Sequence, residues 1–155
     1  MEIDDVIAHL ESLGDVAVQR AAEGDGSPEI AWGDVFVYWS PDGSIPAAQP
    51  FATVVTKDYP GEPSSGLDRP GSFRVNIHAG TDEFERRTGH SPRDTGSEGP
   101  DPATRDVVMA HPVYGPYGWL AVVDPGPATE QDVRDLLTGA HAMARARDER
   151  RRTLG

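Results

Sequence analysis

The sequence predicts an α+β fold, a two-layer sandwich in which N- and C-terminal helices pack on one face of an antiparallel sheet. Three observations carry this. Apolar stripes at helical spacing sit at both ends of the chain, apolar residues alternate with polar ones in several short runs between them, and Gly/Pro-rich loops join most of those runs. Strands linked without crossover helices pair antiparallel, and helices with one apolar stripe each bury it against the sheet.

At the N-terminus, Ile3, Val6, Ile7, Leu10 and Leu13 mark one face of a helix over about residues 2–13, with acids in its first turn and Gly14 after it. Asp15 to Ala21 alternates as a short strand, and EGDGSPEIAWGD is too rich in Gly, Pro and charge to be regular. Asp34–Trp39 is strongly β-prone, and Phe51–Lys57 forms the next strand. Phe73, Val75 and Ile77 alternate with Arg74, Asn76 and His78, which predicts a half-buried strand with one polar face. Thr81 opens a short helix as its cap, ending near Gly89. Asp106–Met109 is a short helix or an extended approach, and Trp119–Val123 is the last strand. Thr129 caps a final helix to about Arg150, buried through Val133, Leu136, Leu137, Ala140 and Met143. The whole of 1–155 reads as one domain with long loops near 22–33, 58–71 and 89–101. Loops of that length in a small domain tend to be functional.

Composition excludes several classes. The 155 residues hold 26 acidic and 14 basic side chains, a net charge of −12, which argues against nucleic acid as a partner. No apolar run reaches the ~18–20 residues of a membrane span, and the acidic, amphipathic N-terminus is not a targeting peptide, so the expectation is a soluble cytoplasmic protein. With no cysteine there is no disulfide, thiolate metal site or thiol nucleophile. The five histidines lack metal-ligand spacing, and neither a metal nor a cofactor is indicated. Residues 131–155 carry four acids and six arginines, whereas the first 130 hold the acidic excess. The arginines at 145, 147, 150, 151 and 152 form a basic helical tail, read as a solvated helix end and, alternatively, as a contact for an acidic partner or a phosphate backbone.

The segments GDGSPEIAWGDVFVYWSPDG, PFATVVTKDYPG, SSGLDRPGSFRVNI and HPVYGPYGWLAVVDPGPAT resemble the bacterial family called domain of unknown function 6194, over nearly the whole chain. That resemblance implies no activity. In layout, the N-terminal helix, central antiparallel sheet and C-terminal helix after a His-containing loop and a Trp strand are similar to the MmcQ/YjbR-like proteins. Their resemblance implies a frataxin-like fold and, as an alternative function, nucleic-acid binding.

Candidate site residues gather around the loops. Lys57 is the only lysine; Lys57, Asp68, Arg69, Arg74 and Asn76 flank the 58–71 loop and its following strand, where an Arg fork and a Lys point charge suit a small anionic ligand. A set of ion pairs pinning the loop is the competing reading. His111 and Tyr114 lie in HPVYGPYGW, a Pro-fixed turn before a strand. His111 is the candidate acid/base of a small enzyme or, alternatively, the residue that caps this turn. Trp32 is an aromatic candidate for a pocket wall. No Ser–His–Asp or Gly-x-Ser-x-Gly pattern is present, and the first expectation is a non-enzymatic small-ligand or partner-binding domain whose ligand meets the sheet face away from the helices.

Overall fold

The computed structural model describes residues 1–154. In chain order the elements are α1 (Ile3–Leu13), β1 (Val16–Arg20), β2 (Val35–Trp39), β3 (Ala52–Val55), β4 (Arg74–His78), α2 (Thr81–Thr88), β5 (Val108–Ala110), β6 (Trp119–Val123) and α3 (Glu130–Leu154). The six strands form one open sheet in the order β1-β2-β3-β4-β6-β5, antiparallel at every pairing. The α+β class expected from the sequence is the class observed.

The pleat sorts the strand residues onto two faces. Val35, Val37, Val54, Val75, Ile77, Leu120 and Val122 share a core with Val6 and Leu10 of α1 and Val133, Leu137 and Ala140 of α3; Phe84 of α2 joins it. The two terminal helices contact each other over this face, and His141 of α3 makes a 2.8 Å hydrogen bond to the carbonyl of Gly14 at the end of α1. The register Phe36–Thr53–Asn76–Ala121 runs across the opposite face, which no helix covers.

Several expectations are corrected locally. Of the two alternatives for 106–109 the extended one is observed, as Val108, Met109 and Ala110 pair with β6, after a bend at Asp106 with φ +57°. Thr81 lies inside α2, and Gly80 precedes it with φ +84°, a conformation that favours glycine, with the flexible end of Met143 packed against it. Met143 is consequently half-buried against Gly80, and Ala144 completes the α3 stripe. Thr129 does not offer its hydroxyl to the α3 amides. It donates that hydroxyl to Asp106, whose carboxylate also accepts the N–H groups of Gly126, Ala128 and Thr129 at 2.8–3.1 Å. The turn that leads into α3 is thus fastened by an acid twenty and more residues upstream, and α3 runs on to Leu154. Finally, β4 is not half-buried. Arg74 and Asn76 are 6% and 3% exposed, as enclosed as Val75 and Ile77 behind them, because the 56–73 loop and the 111–118 turn close over the polar face.

Candidate functional site

The centre of the uncovered sheet face carries a cleft of about 430 Å³, within the range of small-molecule sites. Its floor is built by strand register. Asn76 on β4 sits opposite Thr53 on β3, its amide donating to the Thr53 hydroxyl at 3.0 Å, and Arg74 lies one pleat along. Phe36, Val55, Pro50 and Trp119 supply apolar walls, and Tyr59, Glu62, His111 and Tyr114 come from the loops.

Arg74 is the unusual member of this set. Its Nε–H donates to Asn76 Oδ1 at 2.8 Å, and one Nη1–H donates to Ser65 Oγ at 2.8 Å. A guanidinium has five N–H groups. The other three have no carboxylate: among the described residues, no Asp or Glu oxygen lies within 4 Å of Arg74. Burial therefore lowers its pKa from the ordinary guanidinium value, with the carboxylates of Glu62, Asp58 and Asp34 opposing that shift from a distance. A buried, unpaired cation is costly, and buried charges are ordinarily paired or hydrogen-bonded throughout.

His111 stands beside it. Its backbone N–H donates to the Trp119 carbonyl, which continues the ladder beyond β5, and Pro112 then turns the chain. The backbone N–H groups of Val113 and Tyr114 both point at His111 Nδ1, at 3.0 and 2.9 Å. Nδ1 must accept, so the hydrogen-bond network assigns the proton of the neutral ring to Nε2. That nitrogen lies 3.4 Å from Arg74 Nη2. With Nε2 protonated, both atoms are donors and do not satisfy one another. Burial, and then the Arg74 charge, push the His111 pKa down to about 3, which keeps the ring neutral at physiological pH. The result is two adjacent donors, one cationic, on a cleft wall, with no oxygen acceptor for either nitrogen, Arg74 Nη2 or His111 Nε2, among the described residues. Tyr114, whose ring centroid is 5.0 Å from that of His111, is half exposed at the mouth.

The structure brings together Arg74, Asn76, His111 and Tyr114 of the residues singled out in the sequence. Lys57, Asp68, Arg69 and Trp32 lie elsewhere. Lys57 Nζ contacts the Trp32 carbonyl at 2.7 Å and Asp34 Oδ1 at 3.0 Å. Asp34 is fully buried and also accepts from the Thr56 N–H and hydroxyl and from the Tyr59 hydroxyl, so this lysine completes an internal network that ties loop 22–34 to the end of β3. Desolvation, then the bond to Asp34, raise the Tyr59 pKa well above its ordinary value. The Trp32 indole donates to the Ser27 carbonyl within the same loop. Arg69 donates to the Gly66 and Ser65 carbonyls and approaches Asp124 at 3.8 Å, which pins the 56–73 loop, and Asp68 is exposed.

Pro50, Thr53 and Glu62 line the cleft without having been singled out, beside the aromatic rings of Phe36 and Trp119. Strand register was the signal available for Thr53 and Phe36, since both share a row with Asn76. The basic tail is largely neutralised within α3: Arg145 pairs with Glu149, and Arg151 and Arg152 with Asp148. Arg147 and Arg150 line a larger groove of about 1010 Å³ against residues 40–50.

The pattern of the Family of unknown function (DUF6194) matches residues 1–153. The chain belongs to that family. Neither a curated protein nor a solved structure matches this family member, so the likeness in layout to the MmcQ/YjbR-like proteins rests on the sequence alone. No helix among the described residues is long and apolar enough to cross a membrane, and they contain no cluster of His, Asp and Glu able to hold a metal ion.

Proposed function

We propose that this DUF6194 chain is a non-enzymatic binding domain that takes a small carboxylate-bearing ligand in the cleft on the open sheet face. The observation that carries this is the buried Arg74 guanidinium, three of whose N–H groups donate to no oxygen among the described residues, beside the Nε2–H of His111. A carboxylate set between Arg74 Nη2 and His111 Nε2 accepts from both, and Asn76, held in orientation by Arg74 Nε–H, keeps the fork from turning away. The apolar walls suit the ligand's body.

Acid–base catalysis by His111 draws no support from this geometry. Nδ1 is engaged by two backbone donors, and a neutral Nε2–H donates a hydrogen bond without abstracting a proton. The nearest hydroxyls, Thr53 on the floor and Ser65 on the loop behind Arg74, accept from Asn76 and Arg74. A phosphate dianion is a poorer fit than a carboxylate, because one cation faces it and Glu62 opposes it.

Titration of the protein with acetate, propionate and butyrate, followed through the Val113 and Tyr114 amide resonances, tests the reading. Saturable shifts are expected, and Arg74→Met is expected to weaken binding about ten- to a hundredfold, the loss of one charge-assisted contact of about 1.5–3 kcal/mol. Absence of saturable binding, or equal binding by Arg74→Met, would overturn it.

A further inference from the structure

We infer that the ligand of this cleft is dipolar: it carries, besides the carboxylate for Arg74 and His111, a cationic nitrogen that meets Glu62. This rests on the carboxylate reading above and narrows the class of molecule to amino-acid-like zwitterions.

Glu62 lines the same cleft as Arg74, yet among the described residues no Lys, Arg or His nitrogen lies within 4 Å of its carboxylate. Of the surrounding carboxylates it does most to favour the charged form of Arg74, so the two sense each other without touching. Apolar and already committed groups lie around them. Phe36 and Val55 offer no counter-charge, and the Tyr59 hydroxyl is donated to Asp34.

Nor is Glu62 on a slack segment. The Asp58 carboxylate accepts from the Ser64 hydroxyl and from the Ser65 and Leu67 N–H groups at 2.8–3.3 Å, and the Glu62 N–H donates to the Tyr59 carbonyl. Ser65 in turn accepts from Arg74, so the loop that presents Glu62 is fastened to the cation it faces.

The cleft thus presents one positive and one negative group, neither in an ion pair among the described residues, on a floor and a loop that are themselves tied together. A simple carboxylate answers Arg74 but places a second negative charge before Glu62, which costs free energy in a partly desolvated site. A ligand with its own ammonium answers both. Charge complementarity of this kind favours a neutral, dipolar occupant over either an anion or a cation of the same size.

The test compares glycine, β-alanine and γ-aminobutyrate with acetate, propionate and butyrate, each pair matched in chain length, on the wild-type protein and on Glu62→Gln. At least one amino acid is expected to bind at least tenfold more tightly than its unaminated partner, with the preference falling to near unity in Glu62→Gln. If all three pairs bind equally, or the acids bind better, the inference fails while carboxylate binding stands. If neither series binds, both fail. A preference that survives in Glu62→Gln also overturns the assignment to Glu62.

Discussion

The two faces of β4 are equally buried and chemically opposite. Val75 and Ile77 point into a core closed by α1 and α3, whereas Arg74 and Asn76, one residue out of phase, lie under two loops. On the helix side burial removes apolar surface from water and stabilises the fold by roughly 25 cal/mol per Å². On the loop side the same degree of burial encloses a guanidinium with no counter-ion and an imidazole with no acceptor. Burial alone therefore does not reveal what a face contributes. The first face holds the chain together, and the second keeps an unfavourable arrangement that a ligand is suited to relieve.

Substitutions on the two sides separate these roles. The largest effect belongs to the helix side: Leu120→Ala, at a residue with no exposed surface, should lower the free energy of unfolding by about 2–5 kcal/mol, measured by urea denaturation. Carboxylate affinity of the folded fraction should stay as it is. A comparable loss of affinity would mean that the two faces are not independent.

The second effect belongs to His111 and depends on pH. Its folded pKa of about 3 lies below its ordinary value of 6.5, so between those limits the unfolded chain binds more protons than the folded one. The stability due to the neutral ring is complete above about pH 6.5 and declines as pH falls, by about 2 kcal/mol at pH 5. His78, lowered by burial and then by Arg147, acts in the same direction. Thermal melts of His111→Asn, whose side-chain oxygen can still accept from Val113 and Tyr114, should lose the His111 share of this slope and keep that of His78. An unchanged slope would show that His111 is not held neutral.

The smallest effect is that of Arg74→Met on stability. Arg74→Met removes the cost of a buried, unpaired cation and gives up its bonds to Asn76 and Ser65, so the two offset and the unfolding free energy should change by no more than about 1 kcal/mol, in either direction. A loss several times larger would make Arg74 a structural residue of the same kind as Leu120.

The fold was largely legible where local periodicity governs. The i, i+3, i+4 stripe of α1, the alternation in β4 and the apolar face of α3 each follow from side-chain spacing, and their boundaries agree within a few residues. Asp106 was not legible as the anchor of the turn before α3, since its partners lie twenty and more positions away. The site was half legible for the same reason. Arg74 and Asn76 share a strand face that the sequence displays, and His111 sits in a turn that Pro112 and Gly115 announce. Lys57 has the right charge and neighbours, but its destination is decided by Asp34, twenty-three residues upstream and sealed beneath loop 22–34. Glu62 carries no local mark at all; only the closure of its loop over β4 brings it to the same cleft as Arg74.

The central claim is that Arg74 and His111 present paired donors to the cleft, and the protonation of one imidazole nitrogen decides it. Long-range proton–nitrogen correlation spectra of the histidine rings at pH 7 read this directly. The expected result is a His111 ring protonated at Nε2 and bare at Nδ1, unchanged down to pH 5, with the Nε2–H resonance shifting on addition of acetate. A ring protonated at Nδ1, or an imidazolium at pH 7, would give Arg74 an acceptor or a second buried charge in place of a fellow donor, and would contradict the account.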